Sequence, residues 1–102
     1  MNNIKILYFN IETIDGSAIE ASLRNCAEYV SHIVIKQGLF LVNYNGSARD
    51  LFDKVADIAM ENTILIYDLE KSKDAYWGYM NKSVWDWIQS NGNDTSHPLT
   101  TK

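Results

Sequence analysis

The chain has a single cysteine, Cys26, and a single proline, Pro98, in 102 residues. One cysteine excludes an intrachain disulfide and any zinc site built from cysteine pairs, which fits a reducing compartment. No apolar run approaches the roughly 18 residues of a membrane span. No basic segment followed by an apolar stretch opens the chain, so the expected location is cytoplasmic. The phosphate-cradling and dinucleotide glycine patterns, the His-Glu metal motif and the Gly-x-Ser-x-Gly elbow are all missing. Positive charge is scarce: nine Lys and Arg stand against thirteen Asp and Glu, a net charge of −4. That balance disfavours unaided binding to a phosphate backbone.

What is present is apolar patterning. An apolar fraction of 46% is ordinary for a folded domain. A chain of this length buries roughly two thirds of its unfolded surface, enough for one modest core. Residues Ile4 to Asn10 read as a strand with apolar side chains on both faces. Such a strand belongs at the centre of a sheet. Ser17 to Glu20 has the spacing of a capping box, and Ile19, Leu23, Cys26, Ala27 and Val30 continue as one helical stripe. Residues 31–36 and 39–44 form a hairpin about Gln37-Gly38, where Gly38 is free to take positive φ. Ser47 to Asp50 is a second capping box before the stripe Ala48, Leu51, Phe52, Val55, Ile58 and Ala59. Thr63 to Leu69 is a fourth strand, apolar on both faces. Ser83 to Asp86 opens a short last helix that Asn91-Gly92 stops.

The order β-α-β-β-α-β followed by a short helix predicts a ferredoxin-like α+β domain over residues 1–90. It has a four-stranded antiparallel sheet with both long helices on one face. Residues 91–102 read as a flexible polar C-terminal tail. Two helices cover only one face of four strands. Alternation groups Ile4, Ile6, Tyr8, Ile33, Ile35, Phe40, Val42, Ile64 and Ile66 on one face. It leaves Leu7, Phe9, Val34, Leu39, Leu41, Leu65, Tyr67 and Leu69 on the other. That second set is too apolar to face water. The last helix, with Trp77, Trp85 and Trp87, and a second subunit are expected to share its cover. The expected homodimer interface is Leu7, Phe9, Val34, Leu41, Leu65 and Tyr67.

Three groups of residues carry a resemblance: Thr63 to Leu69, Ala75 to Lys82 with its Trp77-Gly78-Tyr79, and Val84-Trp85-Asp86-Trp87-Ile88. Together with the first strand, the hairpin and the Ser47-Ala48 helix start, they resemble the small bacterial and phage proteins of the SinR family. The name is shared with an unrelated helical repressor. The likeness runs from about Ile4 to Ser90. That family is similar to the CRISPR-associated adaptation subunit and to virulence-associated protein D, dimers that include nucleases. The resemblance implies a ferredoxin-like dimer in a bacterial defence or mobile-element setting. In those nucleases an Asp at the end of the first strand serves the metal site. Here Asn10 holds that position, and an amide is a poor ligand for Mg²⁺.

The resulting expectation is a non-catalytic, dimeric binding or regulatory module that engages a protein partner and needs no cofactor. Trp77, Tyr79, Trp85 and Trp87 are its candidate binding residues. The alternative is a metal-dependent endonuclease on RNA or DNA, with Asn10, Glu12 and Asp15 holding Mg²⁺ or Mn²⁺. The bland reading of those three is a polar loop that caps a helix. Asp68 reads as part of a solvated turn and His32 as structural rather than a general base. Cys26 reads as inert, and Ser17, Ser47 and Ser83 as caps rather than nucleophiles.

Overall fold

The computed structural model describes residues 3–69, 79–80, 82–91 and 99–100. In chain order the elements are β1 (Ile4–Phe9), α1 (Gly16–Arg24), β2 (Tyr29–Lys36), β3 (Leu39–Tyr44), α2 (Ala48–Ala59) and β4 (Ile64–Asp68). A two-residue β5 (Tyr79–Met80), α3 (Lys82–Ser90) and a two-residue β6 (Leu99–Thr100) follow. The main sheet is antiparallel in the order β2-β3-β1-β4, and β5 pairs with β6 in parallel. This is the ferredoxin-like arrangement expected from the order of elements, with β1 and β3 at the centre. Among the described residues no helix is long and apolar enough to cross a membrane.

The local signals explain most element boundaries. Gly38 turns the hairpin at φ +86°, and a Cβ there would lie 2.6 Å from the Phe9 carbonyl oxygen. Only glycine fits both demands. Ser47 caps α2, its hydroxyl accepting the Asp50 N–H at 2.9 Å. The Asp50 carboxylate does not reach back to complete the box. It accepts a hydrogen bond from the hydroxyl of buried Tyr44 instead. Burial and that neighbouring carboxylate push the Tyr44 phenol well above its ordinary range.

Two helix starts differ from the capping spacing. Asp15 rather than Ser17 caps α1, accepting the Ser17 N–H. Ser83 lies inside α3, which begins at Lys82. The first helix also ends sooner than its apolar stripe implies. Arg24 is its last residue, and Val30 already belongs to β2. Beyond α1 the stripe is a coincidence of spacing, since Ala27 and Val30 are exposed rather than turned into the core.

The register corrects the assignment of faces. β1 sits opposite β3 and β4 with Leu7 between Phe40 and Ile66, and Tyr8 between Leu39 and Leu65. Leu7 and Phe9 therefore join Phe40, Val42 and Tyr44 beneath α1 and α2, packed on Ile19, Leu23, Leu51 and Val55. Both were expected at a dimer interface; both are fully enclosed by the chain's own helices. Ile4 and Ile6 lie on the outer face with Leu41 and Ile33, where Val84, Trp85 and Ile88 of α3 cover them. Leu41, also expected at the interface, is buried there. β1 is apolar on both faces, so alternation alone carries no sign to say which face looks inward.

One charge sits in this interior. Lys5 is 1% exposed, and its Nζ lies 2.8 Å from Oδ1 of Asp68, its cross-strand neighbour on β4. Asp68 is half in solvent, yet it supplies the counter-charge that makes a buried ammonium tolerable. Asp68→Ala is expected to cost about 1–3 kcal/mol, because it leaves that ammonium unpaired. The double variant Lys5→Met/Asp68→Ala is expected to recover most of the loss. Urea unfolding midpoints of wild type, single and double variants measure both.

Candidate functional site

The connection after β1 is set by Asn10. Its side-chain oxygen accepts the Glu12 N–H at 3.0 Å, and its carbonyl accepts the N–H groups of Thr13 and Ile14. This is an Asx-type turn, in which the amide organises its own backbone. Asp15 ends the turn and caps α1, taking the N–H of Ser17 at 3.0 Å and its hydroxyl at 2.8 Å. Those two hydrogen bonds hold the Asp15 carboxyl below its ordinary value, the hydroxyl contributing most. Glu12 is exposed. The three residues of the nuclease reading thus follow one another through a turn, two of them committed to backbone. Among the described residues no group of three or more His, Cys, Asp or Glu stands where it would hold a metal ion.

Beside this turn a groove of about 400 Å³ opens to solvent. Phe9, Ile14, Phe40 and Val34 form its apolar wall, and Asp15 and Glu20 its acidic rim. Glu20 was read from sequence as a capping partner, but it faces the sheet. Its Oε2 lies 2.9 Å from His32 Nε2, and His32 Nδ1 lies 2.8 Å from the Tyr29 hydroxyl. A carboxylate only accepts, so Nε2 donates to Glu20, while Nδ1 and the Tyr29 hydroxyl share the second hydrogen bond. The ring stacks on Phe40 at 5.5 Å between centroids, and its side chain is 8% exposed. Both ring nitrogens are occupied, which leaves no lone pair for a general base. The structural reading of His32 holds, with a partner that sequence reasoning missed. Parity gave no signal, since alternation grouped Val42 with Ile33 and Ile35, whereas the register sets His32 opposite Val42.

Cys26 follows α1 and is half-buried, its thiol donating to the Ser22 carbonyl. Burial pushes that thiol above its ordinary value, which suits an unreactive group. Trp85 is buried against the outer sheet face and Trp87 packs half-buried beside it. Trp85 is therefore part of the core rather than a binding surface. Tyr79 lies in β5, its backbone opposite Leu99. Trp77 lies outside the described residues. Asn91, assigned from sequence to the flexible tail, is tied down. Its side-chain oxygen accepts from Ser31 Oγ at 2.9 Å and from Asn43 Nδ2 at 2.7 Å.

The surface that stands out lies on the outer sheet face beyond the reach of α3. Tyr8, Leu65 and Tyr67 are exposed there by 44%, 55% and 48%. Tyr8 sits opposite Leu65, and Tyr67 opposite half-buried Ile6, so the four form one uncharged patch. Val34 is also exposed, but it shares the helix-side face with Phe40 at the opposite edge. Of the six expected interface residues, only Leu65 and Tyr67 belong to this patch.

The lowered Asp15 carboxyl has a pH consequence. A depressed folded value contributes stability above the unfolded value near 3.8, and that contribution is lost as pH falls through the folded value. An NMR titration is expected to place the Asp15 midpoint below 3.8, with the Ser17 amide shifting in step. Asp15→Asn is expected to keep the α1 start and abolish that titration.

Compared with known proteins, the chain finds no match among protein-family models, curated proteins or solved structures.

Proposed function

We propose that the chain is a non-catalytic binding module that works as a homodimer and engages a protein partner. The uncharged patch of Ile6, Tyr8, Leu65 and Tyr67 is the observation that carries this reading. Single exposed apolar residues are ordinary, whereas a contiguous group beside a buried cluster marks a surface that meets another molecule. A second copy fits it. Each chain carries a net charge of −4, and an uncharged patch lets two copies meet without bringing like charges together. The acidic surface left outside the contact favours a basic protein partner over nucleic acid. The single, unreactive Cys26 suits a reducing cytoplasm. The resemblance to the SinR family supports a setting in bacterial defence or mobile elements. Asn10, spent on its turn, gives the nuclease alternative no charged anchor.

Light scattering of the purified protein is expected to give twice the chain mass. Leu65→Glu is expected to give a folded single chain, because it sets a charge in the centre of the contact. Leu41→Glu is unsuitable here, since it would strike the core beneath α3. Labelled RNA and DNA with Mg²⁺ or Mn²⁺ are expected to stay intact. Cleavage that disappears in Glu12→Ala would overturn the binding-module reading.

A further inference from the structure

The two edges of the main sheet differ. β2 carries register shifts at Tyr29/Ser31 and at Val34/Lys36, each an extra residue that bends the strand. Asn91 holds Ser31 near one end of that edge and Lys36 closes the other. Bulges and a lysine are standard protection against a strand from another molecule. β4 has neither. Its register with β1 runs uninterrupted from Lys5↔Asp68 to Phe9↔Ile64, and Ile64-Leu65-Ile66-Tyr67 contains no charge and no proline.

The hydrogen bonds of β4 fix which backbone groups look outward. At one end the Leu69 N–H donates to the Ile4 carbonyl, and at the other the Asn10 N–H donates to the Thr63 carbonyl. Antiparallel pairing alternates, so Thr63, Leu65, Tyr67 and Leu69 turn their N–H and C=O groups toward β1. Ile64, Ile66 and Asp68 turn theirs away from it. Among the described residues no strand lies on that side.

We propose that this edge pairs with β4 of a second copy, antiparallel about a two-fold axis at Ile66, to make one continuous sheet of eight strands. This rests on the homodimer reading above and moves its contact from the sheet face to the β4 edge, where Leu65 and Tyr67 of the patch take part and Ile6 and Tyr8 stay outside it. A two-fold at Ile66 sets Ile66 against its symmetry mate and Ile64 against Asp68 of the second copy. All three outward-facing residues of each chain then exchange N–H···O=C bonds. An axis at Leu65 would pair only Ile64 with Ile66, and one at Tyr67 only Ile66 with Asp68, leaving one outward-facing residue of each β4 without a partner in the facing strand. At the chosen register Leu65 faces Tyr67 of the second copy in a non-hydrogen-bonded pair, where side chains approach most closely. The two exposed residues of the strand thus cover each other twice, as a self-complementary interface requires. Asp68 meets Ile64 rather than its own copy, and its charge is already matched by Lys5.

Three measurements on the full chain test this. Hydrogen exchange by NMR, at concentrations spanning dissociation, is expected to slow the amides of Ile64, Ile66 and Asp68 at least about tenfold in the dimer. Ile66→Pro removes an outward N–H and spares the β1 ladder. It is expected to weaken association by about a hundredfold or more, with circular dichroism unchanged. In a Cys26→Ser background, Leu65→Cys/Tyr67→Cys is expected to give a disulfide-linked dimer under mild oxidation, independent of how well the proline variant folds. A wild-type protein that stays monomeric at millimolar concentration overturns the homodimer reading itself. A dimer with fast Ile66 exchange and no crosslink leaves that reading standing and overturns the β4 pairing. Slow exchange at these amides in a monomer, from cover by the chain's own residues, also overturns it.

Discussion

Everything in this fold answers to the two-sided apolarity of β1. A strand that is greasy above and below cannot lie at a surface, so the chain must supply two covers. The first cover is generous. α1 and α2 close over Leu7 and Phe9 and seal a core that runs through Tyr44 to Ala59. Among the described residues the second is one nine-residue helix, α3, which shields Ile4 and Leu41 and leaves Tyr8 exposed. The imbalance between the two covers, among the described residues, is what sets the outer face apart.

The charged groups show the same economy. Lys5 occupies a sheet position that its neighbours fill with Leu7 and Phe9, and it is tolerated only because Asp68 stands across the strand pair. His32 is held between Glu20 and Tyr29, and Tyr44 is held by Asp50. In each case a polar group inside the fold has a partner. Buried polar groups are expected to be satisfied in this way.

The order of elements, the hairpin glycine and the Ser47 cap were legible because each depends on residues close together in the chain. What was not legible depended on distance. The inward sense of β1 is fixed by Phe40 and Ile66 across two ladders, not by anything between Ile4 and Phe9. Glu20 has the spacing of a capping partner, and nothing local reveals that His32, on the neighbouring strand, claims it. The stripe Leu23, Cys26, Val30 overruns the end of α1 because apolar spacing alone does not report burial: Val30 lies in β2 and is exposed. The acidic turn was read as either a cap or a weakened metal site. The deciding fact is where the Asn10 amide points, which composition does not encode.

The irregular β2 has a meaning beyond its own stability. A sheet open on both sides can add copies without limit, and such growth ends in fibres. If the straight margin accepts a second copy as proposed, the bulged margin refuses a third, so assembly through this sheet would terminate after a single addition and leave a finite, reversible particle.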